Sequence, residues 1–271
     1  MSMFDKVYVL NLDRRPERLR SFWKGYSQSG WPFQTPERVS GLDGSKLPLP
    51  AWWTQTGGAL GCLFSYFRIF EDAITHGHDA IFVFEDDCTF SADCSERILP
   101  FMDSVPSDWE QIYLGGLLRG MIKYPPSQVN EHVVALRGIT GTWATGYRLP
   151  FMQKWYKWAW EHLYNARPLG GKCHLDWMFC SYQCEFAPKV YAPHPWICGM
   201  MPGASDICWR VYSREHFFNW TDNHVDLNSE IISAVNDQVL FPLAQLNFNC
   251  GNGPFSGEVS WGVRKAIPQA S

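Results

Sequence analysis

The chain has 271 residues, a formal net charge of −4, 46% hydrophobic and 18% charged residues. That balance supports a sizeable core, excludes a disordered chain, and gives no general attraction to nucleic acid or an anionic membrane. No run reaches the ~18 apolar residues of a membrane span, and Met1 to Lys6 lacks the regions of a signal peptide, so a cytoplasmic protein without a transmembrane segment is expected.

In chain order, Val7 to Leu12 is a β-rich apolar run, and Asp13 is placed to cap a helix starting near Pro16. Leu19, Phe22, Trp23 and Tyr26 recur there at helical spacing. A Pro- and Trp-rich loop from about Leu47 to Thr56 precedes Gly57-Gly58. The following helix carries Leu63, Phe67, Phe70 and Ile74 on one stripe and stops at His76-Gly77-His78. Ala80 to Phe84 is an unbroken apolar strand that ends in Glu85-Asp86-Asp87.

A helix around Ile98 to Met102 and strands at 111–114 and 142–147 continue the alternation. A helix then runs from Phe151 to about Leu163, and another begins near Leu175. Beyond Ser205 the pattern weakens, with one helix expected over Leu227 to Val235, capped by Asn228 or Ser229. The expected fold is a single α/β domain with a mixed sheet and an irregular C-terminal third. Nine cysteines, an odd number with no CxxC pair, read as reduced buried thiols. Structural zinc at Cys173-His174 or Cys180/Cys184 is disfavoured because the paired short spacings are missing.

The chemistry concentrates at strand ends, where open α/β sheets bind ligands. Three adjacent carboxylates repel one another unless a cation or solvent screens them. Oxygen ligands of this kind suit Mg²⁺ or Mn²⁺. In an extended chain Glu85 and Asp87 share one face and Asp86 points away. The first strand ends at Asn11, followed by Arg14, Arg15 and Arg18, side chains able to fork onto phosphate. Neither a Gly-x-Gly-x-x-Gly fingerprint after this strand nor a Walker loop is present, which disfavours dinucleotide and P-loop enzymes.

Val7-Tyr8-Val9-Leu10-Asn11-Leu12-Asp13-Arg14-Arg15-Pro16-Glu17-Arg18, Gly58-Ala59-Leu60-Gly61-Cys62-Leu63-Phe64-Ser65-Tyr66 and Phe84-Glu85-Asp86-Asp87 together resemble glycosyltransferase family 25. That family includes lipooligosaccharide galactosyltransferases and collagen hydroxylysine galactosyltransferase domains. The resemblance extends more loosely through Gly141-Thr142-Trp143-Ala144, His174-Leu175-Asp176 and Ser205-Asp206-Ile207. Two departures mark a divergent member. Tyr66 stands where the family usually has histidine after serine, and Ala59 replaces its usual acid beside the glycines.

The resemblance implies a GT-A-like, Rossmann-type mixed sheet flanked by helices, with residues 1–125 as a nucleotide-sugar donor half and 126–271 as an acceptor half with a C-terminal extension. It implies a UDP-sugar donor and Mn²⁺ or Mg²⁺. By carry-over, Asn11, Arg14, Arg15, Arg18, Gly58, Ser65, Glu85 and Asp86 are donor-pocket candidates. Glu85, Asp87 and His194 are metal-ligand candidates. An inverting transfer needs a carboxylate to take the acceptor's proton; Asp176 is the first candidate and Asp206 the second.

The acceptor is read as a glycan, lipooligosaccharide or other hydroxyl group. Alternatives are a modified DNA base, or a non-catalytic sugar- or nucleotide-binding role. Trp52 and Trp53 are candidates for stacking on a sugar. Trp155, Tyr156, Trp158 and Trp160, interleaved with Lys154 and Lys157, are candidates for the same task or for nucleic acid. Four aromatics in six positions suggest that at least one lies on the surface.

Overall fold

Two neighbouring strands, covered on both faces, organise the molecule. The computed structural model describes residues 3–51, 53–119, 123–166, 173–207 and 211–212. β1 (Lys6–Asn11) leads through α1 (Pro16–Ser29) to β2 (Glu37–Ser40), and α2 (Gly57–His76) leads into β3 (Ala80–Glu85). Next come β4 (Cys88–Phe90), α3 (Cys94–Ser104), β5 (Gln111–Tyr113), β6 (Leu117–Leu118), β7 (Ser127–Gln128), β8 (Val133–Ala135) and β9 (Ile139–Thr140). The remaining described strands and α-helices are β10 (Ala144–Arg148), α4 (Leu149–Ala166), α5 (Leu175–Phe186), β11 (Val190–Pro193), β12 (Cys198–Met200), β13 (Gly203–Ala204) and β14 (Val211–Tyr212), and a short 3-10 turn lies at Gly44–Lys46. The helix expected over Leu227 to Val235, and Trp52, lie outside the described residues.

The main sheet has the order β2-β1-β3-β10-β5-β11-β8-β7. β1 is parallel to β2 and β3, while β10 is antiparallel to both β3 and β5. This is the α/β mixed sheet expected from the sequence. The register sets Asn11 opposite Ser40 and Leu10 opposite Glu85, so three parallel strands end at one edge. Because β10 runs the other way, its start comes to that same edge, with Ala144 opposite Phe84.

The apolar run of β3 is buried on both faces because helices cover each side. Ile81 and Val83 pack with Leu63, Phe70 and Phe179 on the side of α2, α4 and α5. Phe82 and Phe84 pack with Phe22, Ile98 and Phe101 on the side of α1 and α3. Each such side chain contributes about 1.5–3 kcal/mol when fully buried. Seven described cysteines are free thiols and six of them are buried, as expected. Among the described residues no helix is long and apolar enough to cross a membrane.

Three local expectations fail for identifiable reasons. Asp13 does not cap α1: Arg15 occupies the N-cap position without a side-chain cap, and the Asp13 carboxylate accepts from Arg38 instead. Of the four candidate rings on α4 none is exposed, two being buried and two half-buried, because α4 lies against both α2 and α5. Trp155 and Tyr156 are buried, and Trp160 stacks on Phe67 at 4.7 Å between centroids with planes 7° apart. Trp158 packs edge-on against Tyr182. Trp53 is likewise buried, its ring N–H donating to the Thr56 carbonyl at 3.0 Å.

Candidate active site

The carboxyl ends of β1 and β3 and the start of α1 meet around a cavity of about 90 Å³ lined by Arg14, Arg18, Glu85, Asp86, Asp87 and Asp206, among others. Pro16 begins α1 at once after the strand turn, which brings Arg14, Arg15 and Arg18 to this edge. β3 delivers Glu85 as its last residue, and a turn then carries Asp86 and Asp87. The turn ends the strand alternation, so Asp86 does not point away. Arg18 reaches both Asp86 and Asp87, at 3.4 and 3.5 Å.

Each acid is held differently. Glu85 Oε1 accepts from the Thr142 hydroxyl at 2.6 Å, and the Tyr66 hydroxyl lies 3.1 Å from the same oxygen. Tyr66, the residue standing in the place of the family's histidine, therefore still contacts the acidic motif. Asp86 accepts from the Asn11 amide at 2.7 Å. Asp87 Oδ1 is buried and has no hydrogen-bond partner among the described residues.

Burial pushes the Glu85 carboxyl up to about 8, with the Asp87 charge adding to it against the Thr142 and Tyr66 hydrogen bonds. Burial also raises Asp87 to about 6, with the Asp86 charge adding and Arg18 opposing. Desolvation disfavours the charged form, and a neighbouring like charge does the same.

Opposite the acids, three arginines converge on Asp206. Arg14 Nη2 donates to its Oδ1 at 3.0 Å, Arg15 Nη1 donates to its Oδ2, and Arg18 Nη1 lies 4.0 Å from that oxygen. The segment bearing Asp206 lies over the start of α2. A Cβ on Gly58 would overlap the Asp206 carbonyl, and the Thr56 hydroxyl donates to the Ile207 carbonyl. Arg18 also donates to the Ala204 carbonyl at 2.7 Å. The glycines at 57, 58 and 61 thus admit this chain's own backbone, since a Cβ on Gly57 or Gly61 would overlap Gly44 or Leu42.

The other sequence-derived candidates divide. Asn11 is buried and its amide also donates to the Arg15 carbonyl at 3.0 Å, while Arg38 donates to its oxygen at 3.1 Å. The Ser65 hydroxyl lines the cavity but bonds the Gly61 carbonyl and the Leu42 amide. Asp176 sits half-buried in the first turn of α5, outside the cavity lining. Its charge nonetheless bears on the Cys62 thiol, which lines the cavity and is pushed up chiefly by burial.

His194 is not brought to the acids. It is exposed beyond the end of β11, where the backbone turns toward α3 and Arg97 donates to the Pro195 and Trp196 carbonyls. Among the described residues, Glu85, Asp87 and His194 do not gather into a three-ligand group. Sequence reasoning missed Arg38 and Asp43, which pair with Asn11 and Arg14; neither stands near a motif, and only the folded loops bring them in.

The model of glycosyltransferase family 25 (LPS biosynthesis protein) matches residues 4–137. Procollagen galactosyltransferase 2 of Mus musculus is 24% identical over 209 residues, covering 71% of this chain and 31% of the relative. Inactive glycosyltransferase 25 family member 3 of Homo sapiens is 31% identical over 212 residues, covering 71% and 32%. The chain belongs to glycosyltransferase family 25 as a divergent member. It spans about a third of the length of these curated relatives. A solved glycosyltransferase involved in glycosylation of the major capsid of PBCV-1 is 10% identical with a TM-score of 0.45, covering 86% of this chain and 98% of that one.

The raised carboxyls make a pH prediction. Where a folded-state pKa lies above the unfolded value, the native state binds more protons, so stability falls as pH rises through that window. For Glu85 the window runs from the ordinary value of 4.5 to about 8. In chelator, the melting temperature is expected to fall between these limits, and Glu85→Gln to flatten the fall. A melting temperature that rises across the same range would contradict the assignment.

Proposed function

We propose that this chain is a glycosyltransferase that moves a sugar from a nucleotide-sugar, probed first as UDP-sugars, to a hydroxyl of a glycan or lipooligosaccharide acceptor with inversion. The main support is one juxtaposition: an arginine fork faces a carboxylate cluster in which the buried Asp87 Oδ1 has no partner among the described residues. Family membership points the same way.

A hard cation fits the acids, since the unsatisfied Asp87 Oδ1 and the raised Glu85 and Asp87 carboxyls are what an oxygen-ligated ion relieves. Glu85 and Asp87 would hold Mn²⁺ or Mg²⁺, which when bound offsets the charge on the departing diphosphate. Arg14, Arg15 and Arg18 bind the diphosphate oxygens through charge-assisted hydrogen bonds. Asn11 touches no ligand in this reading; it orients Asp86 and Arg38. Asp176 takes the acceptor's proton.

Asp206 is paired with the three arginines, which argues against its serving as the base. Small-molecule sites commonly measure ~300–1,000 Å³, against about 90 Å³ here. Donor entry therefore displaces the segment 203–207 and exchanges one anion for another on the same fork.

A second reading has one observation behind it. The human relative at 31% identity is named as inactive, so a non-catalytic member that binds nucleotide-sugar remains the alternative. A DNA acceptor has less support, because the α4 aromatics that favoured it are packed between helices and the net charge is −4.

Purified protein with Mn²⁺ and a panel of nucleotide-sugars is expected to hydrolyse one slowly and release nucleotide. Binding without release supports the non-catalytic reading, and absence of both overturns the proposal. Asp87→Ala is expected to abolish cation-dependent donor binding, measured by calorimetry. Asp176→Asn should lower kcat by roughly 10²-fold or more with donor affinity nearly intact; lost affinity would refute its role as base. Asp206→Asn should tighten nucleotide binding severalfold by removing the competing anion, whereas weaker binding would show that Asp206 helps to hold the donor.

A further inference from the structure

We propose that Asp72, His76 and His78 form a second metal site, specific for a borderline transition-metal ion such as Zn²⁺, at the end of the sheet opposite the acidic strand end. One ligand atom from each of the three side chains lies within 4.8 Å of the other two, the only such group of three among the described residues. His76 Nδ1 is 3.2 Å from Asp72 Oδ1. Bonds of about 2.0–2.2 Å to a tetrahedral ion place neighbouring donor atoms about 3.3 Å apart, close to the spacing of this pair; His76 Nδ1 also lies 2.8 Å from the Asp72 backbone carbonyl, a hydrogen bond that an ion on Nδ1 would replace.

Local structure builds the site. Asp72 and His76 are four residues apart on α2 and share a face. Gly77, in the left-handed region at φ 67°, ends the helix and turns the chain back, and the His78 amide then donates to the Ala73 carbonyl at 3.0 Å. That turn brings the His78 ring near-parallel to the His76 ring, with centroids 5.9 Å apart. The second oxygen of Asp72 accepts from the Tyr8 hydroxyl at 2.9 Å, the kind of outer contact that orients a ligating carboxylate. On the far side of His78, the Asp79 amide is fixed on Asp5 at 2.7 Å.

The bland account is an ion pair between His76 and Asp72 near a helix C-terminus. It leaves out the His78 ring, which lies near-parallel to the His76 ring. Two imidazoles with a carboxylate are a ligand set for Zn²⁺, Ni²⁺ or Co²⁺, and a poor one for Mg²⁺, which prefers oxygen. Solvent fills the remaining coordination. The six steps from Asp79 to Glu85 put the two sites roughly 20 Å apart at ~3.3 Å per residue. The ion therefore takes no part in transfer; it clips the end of α2 to β1 through Asp72 and Tyr8. Neither the site nor its test depends on the proposed transferase activity.

The test is Zn²⁺ titration of tag-free full-length protein in excess Mg²⁺, which occupies hard-oxygen sites, followed by calorimetry and by Co²⁺ absorption. One tightly bound ion is expected. His78→Ala and Asp72→Asn should each weaken it by at least about tenfold, and Tyr8→Phe by about tenfold through the lost outer contact. His76 and Asp72 are exposed and His78 half-buried, so these variants should fold, which circular dichroism checks. No Zn²⁺ uptake, or uptake unchanged by His78→Ala, overturns the site.

Discussion

Holding three consecutive carboxylates, one buried and two half-buried, at the end of a fully covered strand is the constraint on which the rest of this structure turns. An isolated buried carboxylate costs several kcal/mol unless it is paired, hydrogen-bonded or protonated. Each acid here uses a different remedy. Asp86 takes Asn11 and Arg18, Glu85 takes two hydroxyls and a raised pKa, and Asp87 keeps one oxygen unsatisfied among the described residues. Those remedies require the end of β1, the start of α1, the middle of α2 and the start of β10 to meet at one edge. Three parallel strands and one antiparallel strand bring them there.

The same economy explains the arginines. A cluster of three guanidinium groups at one edge repels itself unless an anion sits between them. Asp206 supplies that anion from a segment 188 residues beyond Arg18 in the chain. Its backbone lies so close to Gly58 that no other residue fits there without a shift. The glycines of the family-like motif are therefore first a packing requirement of the chain on itself. Any anion entering the site competes with a preformed internal partner.

Divergence from the family pattern is also physically coherent. Tyr66 replaces a histidine yet extends a hydroxyl to Glu85 from a position that is completely buried. A neutral hydroxyl there supports the carboxylate without adding a positive charge, consistent with a high Glu85 pKa. Ala59 is buried at the N-terminal turn of α2, with its amide capped by Thr56. An acid at that position would need a partner of its own.

The first and third strands, the long helices with their apolar faces and the acidic strand end were legible in the sequence, because periodicity and a charge cluster are local properties, whereas the short strands β2, β8 and β11 of the main sheet were not. The grouping of Asn11, the arginines and the acids was legible too, because strand ends in an α/β sheet share an edge. Tertiary structure alone decided the partners. Arg38 reaches Asn11 only because β2 pairs with β1 in one register, and Asp13 serves Arg38 instead of capping α1. The α4 rings are covered because a helix can be packed from two sides at once, which no single-helix pattern reveals. His194 and Asp206 have similar local contexts as loop residues beyond α5. Only the path of the backbone sends one to solvent and the other into the arginine fork.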